Sequence, residues 1–526
     1  MIRSGPVERS SRSSKPAIAG FLVGLTAMAT AASVPGSPFH PRLPPGVVPV
    51  GPFAWLARAV GVDGLRGSAM VWAGVIAVLL AIGGFLLMLR EAWRGAVSLR
   101  TVVILAVAAN AVVLTLPLLF SRDVYSYIAY GNIAGLHHAN PYVQTPADYP
   151  FDAVAALVGP KWFSTPAVYG PLFTGYASIV VRMVHAVSAQ VEVFRWTAAV
   201  AALGTVAVIA TTVRRAWPTR AAFAVAAFGL NPVVLFQSVA SGHNDLLVAL
   251  AVAGTFALVR MRRDMPAIAV LALGTLVKAT AAFPLLLLLV WCVARAPAGR
   301  RLRTLLTRGG LAAAIGGLFA APFFQLHDPT LGMFELAGHE GWLAPSRFFR
   351  RLLDGLSGDS LGVVARLSFA ALLVTAVVLL CRIVWREGMR VGARGNPVQE
   401  LGAAWAWSLL LLMMLGPVLL PWYVLWALPL VWLLPGVPRV VLLATSVALA
   451  LSQWTAEPGR FPAAYDLNVL VGHYVITPVV IGLLAWLLLD GWRRWRDGRP
   501  LHDEEGVPEA GSEQGHDRRA AASGER

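Results

Sequence analysis

The sequence predicts an all-α polytopic membrane protein, and three observations carry that expectation. Of 526 residues, 57% are apolar and only 13% charged, with a mean hydropathy of +0.67. So little polar surface cannot cover that much apolar surface in a soluble fold. The apolar residues also gather into runs near the ~20 residues that a bilayer-crossing helix needs. Finally, basic clusters (RRAWPTR, VRMRR, GRRLRTLLTR, GWRRWRDGR) lie between those runs, as cytoplasmic loops do against anionic lipid. This placement accounts for the net charge of +16 without invoking nucleic acid as a partner.

Taken in order, the chain opens with a basic segment, 1–16, carrying Arg3, Arg9, Arg12 and Lys15. The apolar run 17–33 follows and ends in the small residues ATAAS, which a signal peptidase could accept; it is read as an uncleaved first span. Further spans are read near 69–89, 101–120, 196–213, 219–239, 244–260, 265–279, 281–295, 305–322, 361–384, 400–418, 421–435, 438–455 and 467–490. The total is about 13–14 transmembrane helices, and an even number puts both basic termini in the cytoplasm. The segment 166–188 is long enough to cross, but a crossing there would turn every later basic loop outward. It is therefore read as a helix lying along the outer surface.

This topology makes 17–490 one transmembrane domain with external loops 121–195, 241–245, 323–360 and 453–468. The segment 491–526 is a cytoplasmic tail, expected to be disordered from about 500 because it is polar and lacks apolar periodicity. Two cysteines, Cys292 and Cys381, fall inside spans and read as packing residues; no Cys/His cluster suggests a metal or other cofactor.

The polar residues worth explaining fall on the external side. Asp123 stands where a span leaves the lipid, a costly place for a carboxylate unless water or a partner meets it. It is either a general base for a hydroxyl or a helix-end partner of Arg122. Tyr125, Tyr127, Tyr130, Asn132, His137, His138, Asn140 and Tyr142 follow it, either as a sugar-binding groove or as an interfacial aromatic belt. Asp148 and Asp152 could bind a cation or simply solvate a proline-rich loop, and the second reading is preferred. The turn SGHND places His243, Asn244 and Asp245 at the membrane surface, as helix caps or as ligands of a phosphate or cation. Lys278 stands alone in an apolar run and must snorkel or meet an anion. His327, Asp328, Glu335, His339 and Glu340 follow in the next loop. Then Arg347, Arg350 and Arg351 share one helical side, an external basic cluster that either meets a lipid-linked substrate phosphate or packs its loop on anionic head groups. Trp422, Tyr423 and Trp426 read as an aromatic belt or the wall of an isoprenoid groove.

The order and spacing of several stretches resemble the GT-C glycosyltransferases. More closely, they resemble the actinobacterial polyprenol-phosphomannose-dependent α-1,6-mannosyltransferases. The stretches are SRDVYSYIAYGNIAGLHHANPY, VYGPLF, LNPVVLFQSVASGHNDLL, LGTLVKATAAFPLLLLL and LPWYVLWALP, within roughly residues 70–490. The resemblance implies a GT-C-like fold whose first external loop carries the catalytic base, Asp123. It implies a polyprenyl-phosphate-linked sugar donor, a glycan or glycolipid acceptor and one inverting displacement at the outer face of the cell membrane. Tyr127, His243, Asp245, Lys278, Arg347, Arg350 and Arg351 would then bind substrate or its phosphate. With one acid in that loop instead of a pair, a divalent cation is not indicated. The competing reading, a flippase of polyprenol-linked sugars, needs charge along the span centres. Apart from Lys278 the spans have almost none.

Overall fold

The computed structural model describes residues 14–326, 341, 343–357, 360–392, 398–455 and 457–503. Its helices are α1 (Lys15–Ala32), α2 (Ala54–Ala59), α3 (Gly67–Trp93), α4 (Leu99–Leu114), α5 (Asp123–Gly135), α6 (Pro160–Phe163) and α7 (Pro171–Met183). Then come α8 (Val187–Ala216), α9 (Ala221–Gly229), α10 (Pro232–Val234), α11 (Asp245–Arg260), α12 (Asp264–Val277), α13 (Ala282–Arg295) and α14 (Arg301–Ala320). The chain ends with α15 (Pro345–Ser357), α16 (Ser360–Val391), α17 (Gln399–Leu415), α18 (Gly436–Ala450), α19 (Pro462–Val471) and α20 (Thr477–Asp497). The protein is an all-α polytopic membrane protein, without a strand among the described residues.

Among the described residues, six stretches are long and apolar enough to cross a bilayer: Lys15–Ala32, Gly67–Trp93, Val187–Ala216, Ala298–Phe323, Gly362–Val391 and Pro462–Asp497. A seventh is bent by 42° between Pro218–Gly229 and Pro232–Val239, where Asn231 and Pro232 interrupt the ladder. There Asn231 accepts from the Val233 amide at 2.9 Å and donates to Ser446 at 2.7 Å, so the broken backbone is re-satisfied inside the protein. Five more apolar helices have 10–17 residues. The run expected to cross at 421–435 is not an α-helix. It forms two 3-10 helices, Pro421–Trp426 and Leu428–Leu433, buried on all sides. Pro421 and Pro429 start the two pieces, because a proline has no amide to give to an α-helical ladder.

The helices meet through small residues, as they must where lipid supplies no hydrophobic drive between them. A Cβ on Gly24 of α1 would lie 2.6 Å from the Ala81 backbone of α3, so the two axes approach closely. Gly131 and Gly135 do the same for α5 on α7, with Ala177 O and Ser178 O each 2.8 Å from the missing Cβ. The segment expected to lie along the surface, 166–188, contains α7, a 13-residue helix (Pro171–Met183) of ~20 Å. It buries Phe173, Thr174, Ala177, Val180 and Val181 and leaves Ile179 and Met183 exposed.

Two ends of the bundle differ in character. At one, Asp503 pairs with Arg220 (3.1 Å) and Arg439 (2.8 Å), and Glu400 accepts from the Leu501 amide. The chain is thus still packed at Asp503, past the expected start of a disordered tail; residues beyond it lie outside those described. At the other end the polar loops are stitched together. Phe120 donates to Phe39 O, Ser241 to Leu119 O, Gly170 to Val277 O, Asn140 to Phe323 O and Gly341 to Pro417 O.

Candidate active site

The second end holds the site, and Asp123 opens it. Phe120 takes a left-handed backbone (φ 57°), fixed by its amide bond to Phe39 O at 2.7 Å and by the Phe39 ring 4.8 Å away. The reversal ends α4's exit and starts α5 at Asp123, whose amide donates to Ser121 Oγ at 3.1 Å. One turn on, Tyr127 lies on the same face. Arg122 does not close on Asp123; its guanidinium pairs with Glu457. The Asp123 side chain keeps 18% of its surface.

His243 faces both residues: its Nδ1 is 3.7 Å from Asp123 Oδ2 and 3.5 Å from the Tyr127 hydroxyl. Gly242, with φ 71°, makes the turn that aims it there. The imidazole is fully buried and stacked on Trp422, with ring centres 3.7 Å apart. Burial, then the nearby Lys278 charge, hold it well below the usual imidazole range, so it is a neutral hydrogen-bonding group.

Asp245 opens α11 two residues later. Its Oδ1 accepts from Lys278 Nζ at 2.7 Å and from Trp426 Nε1 at 2.6 Å, while the buried Oδ2 has no partner. Lys278 reaches it because α12 ends there: Lys278 takes an extended backbone (φ −154°, ψ 131°) before α13 begins. The ammonium lies over Tyr423 (4.7 Å) and Trp426 (5.4 Å), so the 3-10 helix supplies the walls of its pocket. Burial pushes the Asp123 carboxyl up to about 6; Lys278 opposes this and Asp245 reinforces it.

Five of the residues singled out in the sequence therefore meet: Asp123, Tyr127, His243, Asp245 and Lys278. The centre holds a second carboxylate beside Asp123, because the turn that carries His243 also carries Asp245 at the start of α11. Lys278 meets an anion there, as one of its two readings expects: its ammonium is 2.7 Å from Asp245 Oδ1. The tyrosines also divide. Tyr125, Tyr130 and Tyr142 are buried and donate to Arg42 O, Thr165 O and Tyr169 O, so their hydroxyls hold loops together. His137 and Asn132 bond Asp152 instead of lining a groove.

The three arginines form a separate group on α15. Its start is tied to the segment before Trp422 through Gly341 N to Pro417 O (2.9 Å) and Ser346 Oγ to Gly416 O (3.4 Å). Arg350 pairs with Asp354 one turn on at 2.7 Å, and Arg351 is exposed. Arg347 lies near Lys161, whose ammonium is pushed down first by burial and then by that guanidinium. His327, Asp328, Glu335, His339 and Glu340 lie outside the described residues. Sequence reasoning missed Glu457, which has no local signature and matters only because the fold delivers it to Arg122.

The family model described as "Alpha-(1->6)-mannopyranosyltransferase, N-terminal domain" matches residues 18–295, the part that contains all five grouped residues. The chain is 28% identical over 455 residues to alpha-(1->6)-mannopyranosyltransferase A of Mycobacterium tuberculosis, covering 83% of each chain. It is 28% identical over 403 residues to a Mycolicibacterium smegmatis protein named "Probable alpha-(1->6)-mannopyranosyltransferase", covering 68% of this chain and 66% of that one. No solved structure matches. By the extent of that match, over half its length, the chain belongs to the alpha-(1->6)-mannopyranosyltransferase family.

Proposed function

We propose that the protein transfers a mannosyl residue from polyprenyl-phosphate mannose to a 6-hydroxyl of a mannan-type lipoglycan, at the outer face of the cell membrane. The observation that carries this reading is a reachable carboxylate, Asp123, left free by Arg122 and flanked by a neutral histidine. The acceptor hydroxyl gives its proton to Asp123 as its oxygen bonds to the anomeric carbon. The bond from that carbon to the phosphate oxygen breaks, and the phosphate leaves with the electron pair. One displacement turns a β-linked donor into an α-linked product. Polyprenyl phosphate is a good leaving group and needs no acid, only positive charge near its oxygens. Arg347, Arg351 and Lys161 are the candidates for that charge, because Lys278 is committed to Asp245.

The basic opposite end of the bundle supports an external site, since cytoplasmic loops carry excess Lys and Arg. Asp245 has a cation of its own in Lys278, so this reading needs no divalent metal, and chelation by EDTA is expected to leave the rate unchanged. The test incubates membranes with polyprenyl-phosphate mannose and a short α-mannoside. Asp123→Asn is expected to lower transfer ~10²–10⁴-fold with normal protein levels. Retention of wild-type transfer in that variant ends the proposal. A flippase would be largely indifferent to it.

A further inference from the structure

The ion pair beside the base invites a role of its own. Lys278 and Asp245 are both buried, at 7% and 1% exposure. Burying two charges costs more than their contact usually returns, so such a pair is poor support for stability alone. Here the pair is also held in place from several sides. Trp426 donates to the same Asp245 oxygen, and Tyr423 and Trp426 offer ring faces to the ammonium. The second Asp245 oxygen is buried without a hydrogen-bond partner, two residues along the turn from His243, whose Nδ1 is 3.7 Å from Asp123 Oδ2. Carboxylates that share a site largely shielded from water repel each other unless a cation stands with them.

We propose that Lys278 is the fixed counter-cation of the reaction centre, a positioning residue that acts through Asp245 to leave Asp123 free of a proton and able to accept one from the acceptor hydroxyl. This rests on reading Asp123 as the base, and it gives Lys278 a task other than holding the donor phosphate. The groups facing Asp123 are few enough to make the assignment specific. On its own helix these are Tyr127 and Tyr130; from the 241–245 turn, His243 and Asp245. Tyr169, in the loop before α7, packs its ring 4.8 Å from that of Tyr127, and at the α12–α13 break Lys278 lies 4.7 Å over Tyr423 of the 3-10 helix. The tyrosines and the histidine are neutral at working pH, and Arg122 is occupied by Glu457. The charge balance at Asp123 is therefore set by Lys278 and Asp245, with opposite signs.

That opposition is the test. Dicyclohexylcarbodiimide adds to protonated carboxyls in apolar surroundings. Its labelling of the Asp123 peptide across pH, read by mass spectrometry, reports protonation without needing any substrate. Lys278→Met is expected to raise the labelling midpoint by about one pH unit or more, and Asp245→Asn to lower it. The double variant should return close to wild type, and Lys278→Arg should not move. In transfer assays, Lys278→Met should shift the acid limb of kcat/KM by the same amount while changing donor KM above that limb less than twofold. Coincident midpoints in all variants, or shifts of the same sign in the two single variants, would overturn the proposal. So would a raised donor KM with no shift. If Lys278→Met does not fold, Asp245→Asn and the double variant still carry the comparison of signs. Should the midpoints move as expected while the wild-type protein transfers no mannose, the functional reading falls and the charge assignment stands.

Discussion

Arg122 and Asp123 are neighbours in sequence, yet the guanidinium of one turns away and pairs with Glu457 while the carboxylate of the other faces His243. Glu457 also accepts from the Arg42 amide at 2.6 Å, so two loops hold it where it can keep Arg122 engaged. This arrangement decides whether Asp123 is a base or half of a surface ion pair. Glu457→Gln should release Arg122 and let it turn to Asp123, its neighbour in the chain. The carboxyl would then become a weaker base. A several-fold fall in kcat is expected, with the acid limb of the pH–rate profile moving to lower pH. An unchanged profile would mean that Arg122 has no access to Asp123 even when free.

The pH dependence of the wild-type enzyme follows from the same group. Burial raises Asp123 to about 6, and a base must be unprotonated to act. Activity should be full above pH 7 and fall tenfold per unit below about 6 in kcat/KM. His243 is held well below its usual range, so no second limb is expected between 6.5 and 8. A profile measured from pH 3.5 to 9 checks both points; a limb near 4 would mean that water reaches Asp123 freely.

Much of this is legible in the sequence, and the division has a physical cause. Composition and run length identify the membrane class, because the cost of burying charge in lipid is a property of each segment. Asp123, His243 and Lys278 stand out for the same reason: each is a polar residue in a place where it is costly. What the linear pattern cannot carry is pairing across the fold. Lys278 and Asp245 are 33 residues apart, and each segment alone reads as facing substrate; only the break between α12 and α13 shows that they face each other. The 421–435 run reads as a span because hydropathy does not distinguish a crossing helix from two 3-10 pieces buried inside the bundle.

That break can be probed through a glycine. Gly170, just before α7, packs so tightly on Leu276 that an added Cβ would overlap the Leu276 carbonyl, and its amide donates to Val277 O at 3.0 Å. Gly170→Ala has to push apart two backbones, one of which leads directly into Lys278. A loss of about 1–3 kcal/mol of stability is expected, with reduced kcat at temperatures where the protein remains folded. Gly175, within α7, has nothing within 4 Å of its missing Cβ. Gly175→Ala should therefore be neutral, or stabilising by about 0.5–1 kcal/mol through helix propensity. Thermal melts of the two variants in detergent, beside wild type, test the contrast; equal melting points would mean that the two backbones can part at no cost.

The raised carboxyl of Asp123 also has a consequence for stability. Its folded-state pKa, about 6, lies above the ordinary value of 3.8, so the folded protein binds that proton more tightly than the unfolded chain. For this group the folded state is favoured below pH 4, loses stability between 4 and 6, and carries the full penalty above 6. The shift corresponds to about 2–3 kcal/mol at pH 7. Asn cannot ionise and escapes the penalty, so Asp123→Asn is expected to melt higher than wild type at pH 7.5, with the gap about halved at pH 5 and closed below pH 4. The same substitution should lower transfer by orders of magnitude, which would mark Asp123 as a residue kept at a cost to the fold. A variant that melts lower than wild type at both pH values would show instead that the carboxylate is satisfied where it stands, and the raised affinity for a proton would have to be abandoned.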